Sequence, residues 1–369
     1  MTIREQIQKK ASQLIVSNNF NDIYELAPRT GKSKIVLEAL NSLNKKVLII
    51  VPYNSIIDSW NNEIVKWKHD LIKTPITLIN QRSLNKVNKG EFDIICSDEI
   101  HTLSNNQMEE LKRIGIKPFG ITGSLSKDTE KELKLQLGLK VNFRYSLEEA
   151  INDKIISDYS INVITCNLNQ TDKTITGGNK KKSFLTTEFD HYNYLTSQFN
   201  RFKVLAWQDS KFENVKMNFA RLRASLLYTC PTKLEIAKKL ISKYKRCLVF
   251  TTLTDVADKL CENSYHSKSN GDELDNFLTG KIDKLATVSM LNMGITFSDL
   301  KQAVCHQLQS SEELSVQKLL RTMNFDLGKD ANIDIIVVNN TVDEQWLNKA
   351  LLPFDKKKIK YIDSRNLKT

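Results

Sequence analysis

The sequence has no hydrophobic segment long enough to cross a bilayer and no cysteine pattern typical of a metal site. Its six cysteines are scattered along 369 residues without a C-x-x-C pair, which argues against a disulfide framework and a zinc site. The longest apolar run, near Val47–Val51, is far below the ~20 residues that a membrane helix needs. The segment Met1–Lys10 lacks the apolar core of a signal peptide. We therefore expect a soluble cytoplasmic protein without a membrane partner.

The composition indicates an ordinary globular chain with a mild excess of positive charge. Hydrophobic residues make up 40% and charged residues 26% of the sequence, which excludes a disordered, collagen-like or coiled-coil chain. At roughly 100–200 residues per domain, the length predicts two domains. Lys and Arg number 54 against 43 Asp and Glu, so the net charge is +11. This excess favours a polyanionic partner but does not distinguish DNA, RNA and an acidic protein.

Short apolar segments rich in β-branched residues alternate with segments of helical spacing along the chain. We expect buried strands at Val47–Val51, Phe92–Cys96, Ile161–Cys166, Cys247–Thr251, Leu285–Ser289 and Ile333–Val338. We expect helices at Lys32–Leu43, Ile56–Trp67, Thr232–Tyr244, Asp255–Cys261 and Val316–Met323. Such alternation predicts an α/β fold with parallel, doubly wound sheets.

Interruptions of this alternation indicate where the domains and insertions lie. We place one α/β domain at residues 1–150 and another at 151–369, with a mostly helical insertion at about 183–230. The insertion mixes aromatic and basic side chains, which fits either a plain helical hairpin or a surface for single strands, and we favour the hairpin. Just before it, Thr171–Ser183 contains Gly177, Gly178 and a run of three lysines, which predicts an exposed loop.

The segment Glu25–Lys34 contains the tripeptide Gly31-Lys32-Ser33 directly before a helical pattern. In a phosphate-binding loop, Gly31 lets backbone N–H groups approach the phosphates, Lys32 reaches the β- and γ-phosphates, and Ser33 holds Mg²⁺. The general pattern has a further glycine where this chain has Leu26. The tripeptide by itself therefore also fits a chance helix start.

A second motif, Asp93–His101, is an apolar strand that ends in two adjacent carboxylates, Asp98 and Glu99. In a nucleotide hydrolase, the first carboxylate would orient Mg²⁺ and the second would polarise the attacking water. A solvated turn after a strand is the alternative interpretation. The combination of the two motifs favours the functional interpretation, because both fall at the carboxyl ends of predicted strands, where open α/β sheets bind ligands.

Together these motifs resemble those of superfamily 2 helicases of the DExH type, in which Asp98-Glu99-Ile100-His101 is the acidic box. Further segments are similar to motifs Ia, Ib, III, IV, V and VI of that family, and they are, in order, Val51–Asn54 with Trp60, Thr77–Leu84, Gly120–Ser124, Cys247–Thr251, Thr287–Thr296 and Gln317–Arg321. The resemblance covers most of the chain and leaves out Gln170–Tyr228. It implies two tandem RecA-like P-loop domains that bind ATP and Mg²⁺ and move along nucleic acid.

The resemblance also implies roles for individual residues. Catalysis would involve Lys32, Asp98, Glu99, Gln317 and Arg321, and the metal would be held by Ser33 and Asp98. The nucleotide would contact Gln8, Pro28, Arg29, Thr30, Gly31, Lys32, Ser33 and Gly294. Hydrolysis would be coupled to movement through His101, Thr122 and Ser124. The nucleic acid would contact Pro52, Tyr53, Asn54, Gln81, Arg82, Thr251 and Ser289.

Several positions depart from the family pattern. Arg29 stands where a glycine is usual in the phosphate loop, and Thr296 stands where motif V often has an aspartate. In motif VI, Leu320 replaces a glycine and Asn324 replaces the second arginine. Arg321 is therefore the one candidate arginine finger, a group that contributes about 10³–10⁵-fold to phosphoryl transfer.

We therefore expect an ATP-dependent helicase or translocase. We favour single-stranded or duplex DNA over RNA, because the regions around motifs Ia and III look more like those of DNA-translocating relatives. The small size is similar to that of helicases encoded by bacteriophages, which would place the protein in the host cytoplasm, and it fits a motor directed by a protein partner. Three alternatives stay open: an RNA helicase, a nucleic-acid-binding scaffold with a degenerate or partner-dependent ATPase, and another phosphate-loop enzyme such as a nucleotide kinase.

Overall fold

A computed structural model describes residues 1–41, 43–179, 182–269, 271–288, 300–309 and 330–367. Contacts between residues divide the described chain into two units, of which the first ends at Asp158 and the second begins at Tyr159. In this part of the chain, no helix is long and apolar enough to cross a membrane. Several predictions fall outside the described residues, namely the helix Val316–Met323 and the site residues Ser289, Gly294, Gln317 and Arg321.

The first unit is built on a six-stranded parallel sheet flanked by helices. Its strands are β1 (Asp22–Leu26), β2 (Val47–Val51), β3 (Ile76–Asn80), β4 (Ile94–Asp98), β5 (Phe119–Thr122) and β6 (Val141–Tyr145). Its helices are α1 (Ile3–Ser17), α2 (Lys32–Leu40), α3 (Ser55–Lys66), α4 (Asn105–Ile114), α5 (Lys127–Leu137) and α6 (Leu147–Asn152). The strand order is β3-β2-β4-β5-β1-β6. Every residue of β2 is buried, which explains its unbroken apolar sequence, since a covered parallel sheet buries both faces.

The second unit is built on a seven-stranded parallel sheet. Its strands are β7 (Tyr159–Cys166), β10 (Cys247–Thr251), β11 (Ser264–Tyr265), β12 (Lys284–Val288), β13 (Gln302–Cys305), β14 (Ala331–Val338) and β15 (Ile359–Asp363). Two further strands, β8 (Ile175–Asn179) and β9 (Lys182–Thr186), form a separate ribbon. Its helices are α7 (Glu188–Gln208), α8 (Glu213–Thr229), α9 (Pro231–Lys243), α10 (Thr254–Leu260), α11 (Asp272–Leu278) and α12 (Val342–Ala350). The strand order is β11-β12-β10-β13-β14-β7-β15.

These two sheets confirm the predicted α/β class, and α7 and α8 confirm the predicted helical insertion. The predicted loop at Thr171–Ser183 is wrong. An antiparallel ribbon of β8 (Ile175–Asn179) and β9 (Lys182–Thr186) begins inside it. Gly177 pairs with Phe184 across this ribbon, and a Cβ at Gly177 would lie 3.0 Å from the Phe184 ring. The glycine thus lets the aromatic ring lie over the neighbouring strand, a pairing known to compensate glycine in sheets.

Parallel pairing brings the carboxyl ends of all six strands of the first sheet to one edge. The segments that follow β1, β4 and β5 therefore start close together, although they are far apart in sequence. Both strong sequence motifs lie at this edge, because Asp98 ends β4 and the phosphate loop follows β1.

Candidate functional site

The phosphate loop joins β1 to α2 through a sharp turn. Arg29 has φ 61° and Gly31 has φ 86°, so the backbone enters the left-handed region twice before α2 begins at Lys32. This conformation costs a residue with a Cβ about 1–2 kcal/mol, and Arg29, unlike Gly31, bears that cost. The first N–H groups of a helix lack acceptors within the helix, which suits this turn to an anion.

Gln8 supports the loop from α1. Its side chain is buried, its Nε2 donates to Thr30 O at 2.8 Å, and its Oε1 accepts from Lys34 Nζ at 2.9 Å. A Cβ at Gly31 would lie 2.5 Å from Gln8 Nε2, so a larger residue would have to displace the Gln8 amide and would also strain the backbone at φ 86°. The structure thus places Gln8 against the loop, while its predicted contact with adenine stays a prediction.

Lys32 and Glu99 form an ion pair at this edge of the sheet. Lys32 Nζ donates to Glu99 Oε1 at 2.9 Å, and the backbone N–H of Gly123 donates to Glu99 Oε2 at 3.2 Å. Burial acts to raise the pKa of Glu99, but the charge of Lys32 and these hydrogen bonds overcome it and lower the pKa to about 2. Glu99 also has φ 46°, a strained backbone of the kind that clusters at functional sites.

Asp98, the neighbouring carboxylate, has a different environment. It is buried, and its Oδ2 accepts a hydrogen bond of 2.9 Å from Nε1 of Trp60, a buried residue of α3. Burial and the adjacent charge of Glu99 raise the pKa of Asp98 to about 6. The two carboxylates are therefore split in their titration, which is how one site holds groups with different tasks. The contact with Trp60 was not predicted from the sequence.

The residues predicted to couple hydrolysis to movement lie beside this pair. His101 Nδ1 lies 2.7 Å from the buried Thr122 Oγ1, which in turn lies 3.2 Å from Glu99 Oε2 and 2.7 Å from Ser124 O. A hydroxyl donates one hydrogen at a time, so Glu99 and Ser124 compete for that of Thr122. These contacts connect the acidic box, Asp98–His101, with the segment Gly120–Ser124, and the coupling role itself stays a prediction.

The residues predicted to contact nucleic acid in the first unit differ in exposure. The exposed ones are Tyr53, Asn54 and Arg82, and the buried ones are Pro52 and Gln81. The buried ones fasten the loops: Asn80 Nδ2 donates to Pro52 O at 3.3 Å, and Gln81 Nε2 donates to Thr102 Oγ1 at 2.7 Å. A nucleic-acid strand at this edge of the sheet would therefore contact the exposed residues. The buried residues hold the loops that carry them.

Thr251, the described candidate for nucleic-acid contact in the second unit, has no exposed surface. Its hydroxyl donates to Gln307 Oε1 at 3.1 Å, and the backbone N–H of Thr252 donates to the same oxygen at 2.5 Å. Gln307 Nε2 donates in turn to Tyr228 O at 3.1 Å. In this structure the Thr251 side chain offers no surface to a strand, and it fastens the end of β10 instead.

Neither a protein-family model nor a curated protein sequence matches the chain. Solved structures do match it. The ATP-dependent type ISP restriction-modification enzyme LlaBIII bound to DNA matches with a TM-score of 0.62 and 14% identity, over 98% of this chain and 31% of that chain. S. cerevisiae Dbp5 bound to RNA and ADP BeF3 matches with a TM-score of 0.57 and 12% identity, over 97% and 89%. The Pyrococcus furiosus Hef helicase domain matches with a TM-score of 0.51 and 12% identity, over 94% and 97%.

These likenesses establish the fold. The parallel sheets of the two units form two consecutive RecA-like domains, the fold of the solved structures named above. The chain spans about a third of the length of LlaBIII.

Proposed function

We propose that this chain is an ATP-dependent helicase or translocase that couples hydrolysis to movement along nucleic acid, with DNA favoured over RNA. The observation that carries the proposal is the set of groups at the carboxyl edge of the first sheet, where Lys32 pairs with Glu99 beside the buried Asp98. The shared fold supports it, because LlaBIII is bound to DNA and Dbp5 is bound to RNA and ADP BeF3.

The residues fit ATP with Mg²⁺. Mg²⁺ prefers oxygen ligands and is usually held by one or two carboxylates together with substrate phosphates. Asp98 and the Ser33 hydroxyl supply such oxygens. A site made by protein side chains alone is a different case: in the part of the chain that the structure describes, no group of three or more His, Cys, Asp or Glu side chains could hold a metal. When bound, Mg²⁺ would neutralise charge on the phosphate oxygens.

Lys32 links nucleotide binding to the state of Glu99. A phosphate at the start of α2 would draw the Lys32 ammonium away from Glu99, since phosphate oxygens compete for the same donor. The pKa of Glu99 would then rise from about 2, because the first of the charges that lower it has moved while burial still raises it. Binding of ATP would thus release the Glu99 carboxylate from its ion pair with Lys32. The released carboxylate could then orient and polarise water.

Steady-state ATP hydrolysis tests this proposal, measured alone and with single- and double-stranded DNA and RNA. We expect stimulation by nucleic acid, strongest with DNA, and a loss of about 10²–10⁴-fold in Glu99→Gln. Glu109→Gln is the matched control, because Glu109 lies on α4 in an exposed ion pair with Lys112.

The other interpretations make different predictions in the same assay. Equal inactivity of wild type and Glu99→Gln with persistent nucleic-acid binding would indicate a scaffold, and stimulation by RNA alone would indicate an RNA helicase. Transfer of phosphate to an acceptor other than water would indicate a kinase. Arg321→Ala tests the proposed arginine finger, with an expected fall of about 10³–10⁵-fold in kcat.

A further inference from the structure

The helical insertion has a base that is fastened to the second unit. Buried Glu188, at the start of α7, accepts hydrogen bonds from the backbone N–H groups of Asn169 and Thr232, both at 2.9 Å. The Tyr192 hydroxyl accepts one from the backbone N–H of Val342 at 3.0 Å. These contacts join α7 to three other segments of the second unit, so the base of the insertion is held rigidly.

The distal part of the insertion, residues 201–223, has its own aromatic core. The rings of Phe202 and Phe219 stack at 5.5 Å with an interplanar angle of 11°, and Phe212 lies 6.0 Å from Phe202. This core holds α7 against α8 without Trp207, whose side chain is 97% exposed. Val204, one turn earlier on α7, is also exposed. Helix packing therefore does not explain why a tryptophan stands at this position.

The charges of the distal part favour a polyanion. It contains six basic and two acidic residues. Both carboxylates are already paired, Asp209 with Lys211 at 2.7 Å and Glu213 with Lys216 at 2.6 Å. The exposed cations Arg201, Lys203 and Arg221 have no carboxylate partner among the described residues. Lys203 and Trp207 are four residues apart on α7 and so lie on the same face of the helix.

We propose that the distal part of the insertion binds single-stranded nucleic acid, with Trp207 stacked on a base and Arg201, Lys203 and Arg221 facing phosphates. The proposal rests on the proposed function for the identity of the strand. Sequence-tolerant binding of single strands combines these two elements, an aromatic plate and cations that follow the backbone. Residues 201–223 lie outside the segments that are similar to helicase motifs. A nucleic-acid strand bound to them would give the proposed helicase or translocase a second contact with its nucleic acid.

Fluorescence titration of the full chain with oligodeoxythymidine and oligouridine tests the proposal. Stacking on a base quenches indole emission, so we expect quenching in wild type that is lost in Trp207→Phe, while binding in that variant stays close to wild type because phenylalanine also stacks. Trp207→Ala should weaken binding about 5–150-fold. Lys203→Gln with Arg221→Gln should weaken binding and lower its salt dependence. Tyr361→Ala, which removes another exposed aromatic ring of the second unit, is the control.

The outcomes separate this proposal from the proposed function. One outcome is that ATP hydrolysis is absent, while the quenching and the loss of oligonucleotide binding in Trp207→Ala are still observed. This outcome would support the strand-binding surface, which is the distal part of the insertion, and would contradict the proposed ATP-dependent motor. If nucleic acid stimulates hydrolysis but Trp207→Ala binds as wild type does, the strand-binding surface is overturned alone. Absence of any binding to either oligonucleotide overturns it as well. Unfolding by urea should be the same in wild type and Trp207→Ala, because an exposed side chain contributes little to stability.

Discussion

Each unit of this protein contains a lysine paired with a carboxylate, and the two pairs differ in their access to water. Lys32 Nζ lies 2.9 Å from Glu99 Oε1, with side chains 21% and 23% exposed. Lys233 Nζ lies 2.6 Å from Asp343 Oδ2, with side chains 0% and 2% exposed. The two distances are similar. Distance alone therefore does not distinguish an ion pair of a functional site from one that only stabilises the fold.

Access decides what each pair can do. Phosphate oxygens can replace Glu99 as the partner of Lys32, since the ammonium lies at the start of α2 and is reached by solvent. Lys233 has no such alternative: burial acts to lower its pKa, and Asp343 overcomes this and raises it, so the lysine stays charged inside the protein. Breaking a buried pair leaves an uncompensated charge, whereas a partly exposed pair can exchange partners.

The largest effect on stability is expected from Lys233→Met. This change leaves Asp343 buried without its cation, which should lower the free energy of unfolding by about 3–5 kcal/mol. Urea unfolding measures it. The double variant Lys233→Met with Asp343→Leu removes both charges and should recover most of the loss, because replacing a buried pair by apolar residues is often neutral. A double variant as unstable as the single one would contradict this account.

Lys32→Met should have the opposite profile. ATP hydrolysis should fall about 10²–10³-fold, because the charge proposed to stabilise the transferring phosphate is lost. The free energy of unfolding should fall by less than in Lys233→Met, because water reaches both side chains of the Lys32–Glu99 pair. Both are measured on the same preparation, by steady-state kinetics and by urea unfolding. If Lys32→Met were as unstable as Lys233→Met, access would not separate the two pairs.

Trp60→Phe tests whether the hydrogen bond from Trp60 to Asp98 matters for the proposed binding of Mg²⁺. Removal of the indole N–H leaves the buried carboxylate without this donor. Loss of a partner that orients a metal ligand typically costs 10–100-fold in metal affinity, so the Mg²⁺ concentration that half-saturates hydrolysis should rise by about that factor. Trp67→Phe is the control, since the indole of Trp67 donates to Glu63 on the surface. An unchanged Mg²⁺ requirement would mean that Asp98 is oriented without Trp60.

Sequence reasoning was successful where a pattern is local. The bounds of β2 and β10 agree with the prediction, since an unbroken apolar run between polar segments marks a covered strand. The tripeptide at Gly31 and the carboxylates at Asp98 and Glu99 were also visible, because each motif is a few consecutive residues at a strand end. The structure brings these motifs together, and their roles stay predictions.

Contacts between distant positions could not be predicted in this way. Trp60 and Asp98 are 38 residues apart, and a tryptophan on an amphipathic helix looks like any core residue. Gln307 is 55 residues from Thr252 and has no motif around it. The ribbon of β8 and β9 was missed because its glycines are typical of loops, whereas Phe184 across the ribbon makes Gly177 acceptable in a strand. In all three cases the signal lies in a partner that the local sequence does not contain.

Buried His306, in the second unit, should make the stability of the protein depend on pH. It is fully buried, and its Nε2 donates to Tyr228 O at 3.1 Å, which places the proton of the neutral ring on Nε2. Burial, together with the charge of Lys233, lowers the pKa of His306 to about 3. The unfolded chain takes up this proton near pH 6.5 and the folded chain only near pH 3. The contribution of His306 is therefore complete above about pH 6.5 and is lost as the pH falls towards 3.

Each pH unit in that window should cost about 1.4 kcal/mol of unfolding free energy. His306→Gln keeps a donor for Tyr228 O and removes the titration, so its stability should fall less steeply than that of wild type between about pH 6 and 5, as urea unfolding at several pH values would show. The double variant Lys233→Met with Asp343→Leu should raise the pKa of His306, because one of the causes of its low value is removed. An equal slope in wild type and His306→Gln would mean that this histidine is already charged in the folded protein. The charges and hydrogen bonds around Lys233, the buried cation of the second unit, would then differ from those given above.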